Sequence, residues 1–233
     1  DKEWIPKSEG CSLYIRPTLV GTEAFLGVRP AEEYLFFVIL SPVASYYSSG
    51  LKPLKIWLEE DYLRAAPGGL GATKAAANYA GSLLAALEAK KRGYAQVLWL
   101  DIHRQAVEEV GTMNIFFVFN DEIVTPALDG TILPGGVRDS ILALLRSWGK
   151  KVSERKLTIT EIREHAANGR LREVFGAGTA AIISPVGELA SKNWQITNND
   201  NQIGPVASQL YEEITGIQSG TKPDKFKWLH SID

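Results

Sequence analysis

The feature that most limits the possible fold is a hairpin pattern in the middle of the chain. Residues Asn114–Phe119 form an apolar run that predicts a strand, Asn120–Glu122 favour a turn, and Ile123–Thr125 predict the returning strand. Helical segments separate other strand-like runs, but few of these make a strict strand–helix–strand unit. The sequence therefore predicts a mixed α/β (α+β) fold and argues against an all-parallel doubly wound sheet.

Hydrophobic periodicity places the other elements along the chain. The predicted helices span residues 78–91, 137–148, 158–167 and 206–215, and Thr160 is the predicted N-cap of the third. The other predicted strands span residues 12–20, 33–40, 54–58, 96–100 and 107–110, and residues 174–183 predict two strands joined by a turn at 176–179. Because the run 33–40 is continuously apolar, we expect that strand to be buried.

Composition excludes several classes of protein. The 233 residues include 25 Lys and Arg against 27 Asp and Glu, so a net charge of −2 offers no basic field for nucleic acid. No apolar run approaches the roughly 18 residues of a membrane helix. The single cysteine, Cys11, excludes an internal disulfide framework and a cysteine-rich zinc site, and it fits a reducing compartment. We therefore expect a soluble globular protein without a nucleic-acid, membrane or metal site.

Lys74 is the first candidate for chemistry. It follows a Gly-rich turn, Pro67–Thr73, and precedes an Ala-rich helix. A lysine buried in such apolar surroundings has a lowered pKa and becomes nucleophilic, as a Schiff base requires. The residues alone favour an exposed lysine at the start of a helix, and only the buried alternative gives this chemistry. The turn is not a Walker phosphate loop, because Thr73 rather than glycine precedes the lysine.

Two glycine turns and a pair of carboxyl groups are further candidates. Gly135–Val137 opens a helix, where free backbone N–H groups favour phosphate, and Gly176–Thr179 offers a Gly-rich turn with a hydroxyl group. Either turn could instead be purely structural. Glu108 and Glu109 lie in a strand pattern, so one carboxyl group is expected to point inward and to need a cationic partner. The alternative is that both are half-exposed.

Six motifs, in one order along the chain, carry a family resemblance. They are LYIRPTLVGTEAFLGV (13–28), KAAANYAGSL (74–83), EEVGTMNIFFV (108–118), LDGTILPGGVRDSIL (128–142), VSERKLT (152–158) and FGAGTAAIISPV (175–186). Together they closely resemble the branched-chain amino acid aminotransferases of the eukaryotic-like subgroup, which are pyridoxal-phosphate enzymes of fold type IV. The resemblance implies transamination of leucine, isoleucine and valine with 2-oxoglutarate, giving branched-chain 2-oxo acids and glutamate.

The resemblance also implies roles for individual residues. Lys74 would be the catalytic residue that holds pyridoxal 5′-phosphate as a Schiff base, Tyr79 would hydrogen-bond the pyridoxal 3′-oxygen, and Glu109 would face the pyridine nitrogen. The phosphate would be bound by Gly136, Val137 and Thr179, and the substrate by Tyr14, Arg16, Tyr46, Thr179 and Ala180. Three positions depart from the family pattern: Ala76 and Ala77 replace a Gly-Gly pair, and Val137 replaces a common threonine.

The resemblance further implies a domain organisation. Residues 1–30 would be the end of an N-terminal small domain, 31–49 its last strand and an interdomain loop, and 50–233 the large cofactor-binding domain. Most of the small domain, including a phosphate-binding arginine, is expected to be missing from this sequence. The expected partners are small-molecule amino acids and 2-oxo acids and a second copy in a homodimer, in the cytoplasm or the mitochondrial matrix.

Two alternative functions stay open. The chain could be another fold type IV enzyme, of the D-amino acid aminotransferase or aminodeoxychorismate lyase type. It could also be a cofactor-free remnant that acts as a binding protein.

Overall fold

A computed structural model describes residues 2–8, 10–44 and 51–231 of the chain. The chain divides into two compact units, Asp1–Gly50 and Leu51–Asp233. Helices and strands both occur, and the predicted mixed α/β class is confirmed. No helix in the described ranges is long and apolar enough to cross a membrane.

The first unit is built on an antiparallel hairpin. Strand β1 (Ser12–Gly21) pairs with β2 (Tyr34–Val43) over ten residues of each strand. Both strands were predicted, but the predicted burial of β2 is wrong. Phe36 is 64% exposed and Val38 is 49% exposed. The reason is that, among the described residues of this unit, the two strands pair only with each other, and a two-stranded ribbon covers neither of its own faces.

The second unit combines one large sheet with helices. Its strands are β3 (Leu54–Leu58), β4 (Gln96–Leu100), β5 (Val107–Val110), β6 (Met113–Phe119), β7 (Ile123–Thr125), β8 (Val152–Glu154), β9 (Leu171–Gly178), β10 (Ile182–Ala190) and β11 (Gln195–Thr197). Its helices are α1 (Ala76–Lys91), α2 (Gly136–Ser147), α3 (Ile159–Ala167) and α4 (Pro205–Gln218).

Six of these strands close into a ring. The order around it is β3, β4, β5, β6, β9 and β10, with β10 pairing again with β3. The β10–β3 and β3–β4 pairs of the ring are parallel, and its other pairs are antiparallel. Alternation along β6 sends Ile115 and Phe117 into one apolar cluster with Leu98 and Val174, and sends Phe116 into a second cluster on the opposite face.

Helices cover the outer face of the ring in separate places. Helices α2 and α4 pack Ile141, Leu145 and Leu210 against Phe116 and Phe175. Helix α1 packs only its small residues Ala85 and Ala89 against a third cluster, which contains Trp57, Val97 and Trp99. The ring therefore supports helices α1 and α2, and several of the predicted functional residues lie at or near the starts of these helices.

Three predicted boundaries need correction. Thr158, not Thr160, is the N-cap of α3, because its hydroxyl accepts the Glu161 N–H group at 3.1 Å. Residues 176–178 belong to β9 because they pair with β10, so the turn between the two strands falls at 179–181. Helix α4 runs past the predicted end at 215, because Ile217 continues its buried face.

Candidate active site

Lys74 lies two residues before α1, close to Tyr79. Its Nζ atom donates a hydrogen bond to the Tyr79 hydroxyl at 2.9 Å and lies 5.4 Å from the centroid of the ring. Lys74 and Tyr79 are both exposed. The interpretation of Lys74 as a buried lysine is therefore wrong. The apolar residues before and after Lys74 do not fold over the ammonium group. Ala76 and Ala77 are exposed as well.

The Gly-rich turn before α1 is held by a close backbone approach. Gly71 is buried, and a Cβ atom there would lie 2.3 Å from the Thr131 carbonyl oxygen, so only glycine fits. The Asn78 amide donates from α1 back to the Thr73 carbonyl at 2.8 Å. Gly71 therefore has a structural purpose, because its close approach to Thr131 fixes the position of the turn that precedes Lys74.

Glu109 is a buried carboxyl group with two partners. It is 4% exposed, its Oε1 atom accepts the Leu133 N–H group at 2.7 Å, and its Oε2 atom lies 3.2 Å from Arg64 Nε. Burial raises the pKa of Glu109 to about 7, with Arg64 and the Leu133 N–H group opposing the rise and Glu108 adding to it. The expected cationic partner of an inward carboxyl group is therefore Arg64.

Glu108 is buried as well, so the alternative of two half-exposed carboxyl groups is wrong. Its Oε1 atom accepts the Thr131 hydroxyl group at 2.6 Å, and that hydroxyl also lies 2.8 Å from Asp129 Oδ1. Burial raises the pKa of the Glu108 carboxyl above its usual range. The two neighbouring carboxyl groups thus hold the same 131–133 segment at two points.

A pocket gathers several of these groups. Its lining includes Arg64, Tyr79, Ser82, Glu109, Thr112 and Leu133. Tyr79 links this pocket to Lys74 through the hydrogen bond described above. The phenol of Tyr79 and the buried carboxyl group of Glu109 line the pocket, and the amine of Lys74 lies beside it. Groups of these kinds can bind and orient a polar aromatic ring that carries a carbonyl group.

The first turn of α2 offers free N–H groups. Gly135 is the N-cap, and the first intrahelical bond runs from Asp139 N–H to the Gly135 carbonyl at 3.1 Å. The N–H groups of Gly136 and Val137 therefore have no acceptor within the helix and lie at the positive end of its dipole. The Val137 side chain packs against the cluster between α2 and the ring.

The β9–β10 turn carries Thr179 and Ala180, both exposed. Ile182 follows them with φ +59°, a left-handed conformation that is costly for a β-branched residue. Around it the Ile183 N–H group donates to the Ala181 carbonyl at 2.7 Å, which forms a tight three-residue turn. Ile182 and Val137 pack against the same apolar cluster, so a shared core supports this turn and the start of α2.

Tyr14 and Arg16 belong to the first unit. Residues two apart on a strand share a face, and here the Arg16 Nη2 atom lies 3.4 Å from the Tyr14 hydroxyl, with the guanidinium carbon 5.0 Å from the Tyr14 ring centroid. Tyr46 lies outside the described residues.

The structure thus brings Lys74, Tyr79 and Glu109 into one neighbourhood and adds Arg64, which the sequence analysis missed. The signal that could have found it is the cation that a buried carboxyl group demands, together with the position of Arg64 ten residues before the lysine.

Comparison with known proteins identifies similar sequences and structures. The profile of the family described as Amino-transferase class IV matches residues 3–189. The chain is 52% identical over 233 residues to branched-chain-amino-acid aminotransferase 2 of Bacillus subtilis (strain 168), a match that covers 100% of this chain and 64% of the relative. The chain therefore spans slightly less than two thirds of that relative's length.

Solved structures are similar in fold. The branched-chain amino acid aminotransferase of Escherichia coli superposes with a TM-score of 0.79 at 31% identity, covering 95% of this chain and 71% of that one. The branched-chain amino acid aminotransferase of Thermobaculum terrenum, in its PLP-form, gives a TM-score of 0.74 at 28% identity, covering 90% of this chain and 65% of that one.

Proposed function

The chain belongs to the class IV amino-transferases, and from this membership we propose that it transfers amino groups from branched-chain L-amino acids to 2-oxoglutarate. Leucine, isoleucine and valine are the proposed donors, and branched-chain 2-oxo acids and glutamate are the products. Support comes from the relatives in Bacillus subtilis and Escherichia coli, whose names state branched-chain aminotransferase activity.

Pyridoxal 5′-phosphate is the proposed cofactor, and the donor groups of the second unit fit it. The arrangement that carries this proposal is the Lys74–Tyr79 hydrogen bond beside a pocket that Tyr79 and the buried Glu109 both line. An amine suits the aldehyde of the cofactor, a phenol suits its ring oxygen, and a carboxylate suits its ring nitrogen. The solved structure from Thermobaculum terrenum is of a PLP-form.

Each residue has a proposed task. When bound, the cofactor supplies an electron sink for deprotonation of the substrate Cα. Lys74 Nζ binds the aldehyde group and, once released, accepts the Cα proton. Glu109 holds negative charge against the ring nitrogen, with Arg64 opposing the protonation of its carboxyl group. Tyr79 orients the ring through its hydroxyl group.

The phosphate and the substrate are assigned to backbone turns and to the first unit. Gly136 and Val137 N–H groups and the Thr179 hydroxyl bind the phosphate in this proposal. The substrate is bound by Ala180 with Thr179, and by Tyr14, Arg16 and Tyr46. Arg16 is the proposed reader of the second carboxylate of glutamate, because a guanidinium group binds carboxylates in a bidentate manner.

A homodimer in the cytoplasm completes the proposal. Leu83, Leu84 and Leu87 of α1 are 61%, 52% and 57% exposed, and an apolar helix face of this kind needs a cover. The curated relative named above is a bacterial protein, which supports the cytoplasm rather than the mitochondrial matrix.

Reductive trapping tests the proposal. The protein is incubated with pyridoxal 5′-phosphate, reduced with borohydride and mapped by peptide mass spectrometry, and transamination from L-leucine to 2-oxoglutarate is assayed in parallel. We expect the adduct on Lys74, and we expect Lys74→Ala to lose both adduct and activity. Lys91→Ala, at the far end of the same helix, is the matched control and should keep both.

Three results would contradict the proposal. An adduct on another lysine would remove Lys74 from its role. Turnover of D-alanine or aminodeoxychorismate without turnover of L-leucine would place the chain elsewhere within fold type IV, and the absence of any adduct would favour the cofactor-free alternative.

A further inference from the structure

Asn114 is a buried side chain that the proposed chemistry does not use. It is 6% exposed and lies directly opposite Glu109 in the register of β5 and β6. Residues directly opposite each other in an antiparallel pair present their side chains on the same face. Asn114 and Glu109 therefore reach the same neighbouring segment of chain.

The two side chains hold both backbone polar groups of one residue. Asn114 Nδ2 donates to the Leu133 carbonyl oxygen at 2.9 Å, and the Leu133 N–H group donates to Glu109 Oε1 at 2.7 Å. Leu133 lies three residues before Gly136, where α2 begins. The position of this loop is thus set from the strand pair that carries the proposed partner of the ring nitrogen.

The other end of the Asn114 amide meets Gly135, the N-cap of α2. A Cβ atom on Gly135 would lie 2.2 Å from Asn114 Oδ1, so any side chain there would displace the Asn114 amide from its present position. Gly135 has φ −74° and ψ 134°, an extended conformation that alanine adopts without strain. The close approach of Asn114, rather than backbone conformation, therefore explains the glycine at this position.

We propose that Asn114 is a positioning residue that fixes the phosphate-binding start of α2 relative to Glu109. Its amide holds the Leu133 carbonyl by a hydrogen bond, and its Oδ1 atom occupies the space that a Cβ atom on Gly135 would need. The N–H groups of Gly136 and Val137 are then held at a set distance from the carboxyl group that faces the ring nitrogen. Asn114 and Glu109 thereby hold the groups that bind the phosphate and the group that faces the ring nitrogen in one fixed arrangement. This inference rests on the proposed function.

The loss of the Asn114 side chain should weaken recognition of the phosphate more than recognition of the ring. We would measure the dissociation constants of the full chain for pyridoxal 5′-phosphate and for pyridoxal, which lacks the phosphate. In Asn114→Ala we expect the phosphate ester to bind about tenfold more weakly, the scale of a lost buried hydrogen bond. Pyridoxal should change by less than about threefold, so the ratio of the two constants shifts.

The chain offers a matched control. Asn198 is also a buried asparagine, 3% exposed, whose Nδ2 atom donates to a backbone carbonyl, that of Val186, at 3.0 Å. Asn198→Ala should leave the ratio of the two constants unchanged. An unchanged ratio in Asn114→Ala, or an equal shift in Asn198→Ala, would overturn the inference.

A second pair of variants tests the contact with Gly135 and does not depend on the stability of Asn114→Ala alone. Gly135→Ala should lower the melting temperature and shift the same ratio, because its methyl group collides with Asn114 Oδ1. The double variant Gly135→Ala with Asn114→Ala removes the colliding atom, so it should melt no lower than Gly135→Ala alone. Fully additive losses would overturn the proposed contact.

The same measurements separate this inference from the proposed function. If the unaltered protein binds neither pyridoxal 5′-phosphate nor pyridoxal, the proposed function fails and this inference fails with it. If the unaltered protein binds both and the variants lose both equally, only the role of Asn114 fails.

Discussion

Two hairpins of this chain carry predicted functional residues, and they differ in what surrounds them. The β5–β6 pair carries Glu109 and Asn114, and it is flanked in the ring by β4 on one side and β9 on the other. The β1–β2 pair carries Tyr14 and Arg16, and among the described residues of its unit it has no further strand beside it. The strands beside a hairpin fix the side chains that it carries. Among the described residues, the β5–β6 hairpin has such neighbouring strands within its own unit, and the β1–β2 hairpin does not.

The apolar content of the strands does not explain the difference. Strand β2 contains Phe36 and Phe37, and β6 contains Phe116 and Phe117. Phe116 and Phe117 are fully buried, because the ring interior covers one face of β6 and helices cover the other, whereas Phe36 is 64% exposed. A continuous apolar run indicates that both faces of a strand are packed against other elements. It does not indicate which part of a protein supplies those elements.

The largest expected effect is on stability. Phe117→Ala removes a buried ring from the cluster inside the strand ring and should cost about 3–5 kcal/mol in the free energy of unfolding. Phe36→Ala should cost less than about 1 kcal/mol, because its ring is mostly in water. Urea unfolding of both variants would measure the difference. A comparable cost at Phe36 would break the comparison, because it would show that something covers β2 in the protein as tested.

The next effect is on the chemical step and concerns the buried hairpin. Glu109→Gln keeps the shape of the side chain but removes its charge, so a protonated ring nitrogen is no longer stabilised. Preorganised electrostatic groups of this kind contribute about 10²–10³ in rate, so single-turnover deprotonation of L-leucine should slow by that factor. The cofactor should still bind. A near-normal rate would transfer the role to Glu108 or exclude the proposed chemistry.

The pH dependence of stability gives a somewhat smaller effect. Burial raises the pKa of Glu109 from 4.5 to about 7, so the folded cofactor-free protein keeps a proton that the unfolded chain releases near pH 4.5. Stability from this group is present below pH 4.5 and is lost as the pH rises to about 7. The loss reaches about 3 kcal/mol at 1.36 kcal/mol per unit.

Glu109→Gln is the control for this prediction, because glutamine does not titrate. Urea unfolding at pH 5, 6, 7 and 8 should show the unaltered protein losing stability relative to the variant as the pH rises. Parallel curves would show that Arg64 and the Leu133 N–H group hold the carboxyl group ionised in the folded protein. Glu109 of the buried hairpin would then form a permanent ion pair with Arg64.

The sequence predicted the local features of the fold well. Strands Leu54–Leu58, Gln96–Leu100 and Val107–Val110 have the predicted bounds. The first two are short, mainly apolar runs, and the third is bounded by valine at both ends. The N-cap of α3 was misplaced by two residues, because Thr158 and Thr160 both suit a cap and only the backbone geometry selects one. The local sequence pattern thus predicted which helices and strands form, whereas the hydrogen bonds in the folded chain determine where they end.

The candidate site was less accessible from sequence, because its contacts join distant segments. Arg64 and Glu109 are 45 residues apart, and Asn114 reaches Leu133 across a loop, so no spacing rule connects them. Lys74 is exposed for the same reason as β2. Apolar neighbours in sequence do not cover a side chain unless another element packs over it.

The smallest expected effect tests the exposed hairpin. Arg16 is paired only loosely with Tyr14, at 3.4 Å, so the structure of its own unit depends little on it. Arg16→Lys keeps the charge but loses bidentate binding of a carboxylate. We expect kcat/KM to fall about tenfold for glutamate and 2-oxoglutarate, the cost of about one charged hydrogen bond, and less than about threefold for leucine. Arg29→Lys, an exposed arginine in the same unit that pairs with Glu23, is the matched control and should change neither. Equal losses for glutamate and leucine would show that Arg16 stabilises the β1–β2 hairpin and does not bind the substrate carboxylate. The two hairpins would then differ only in how exposed their side chains are.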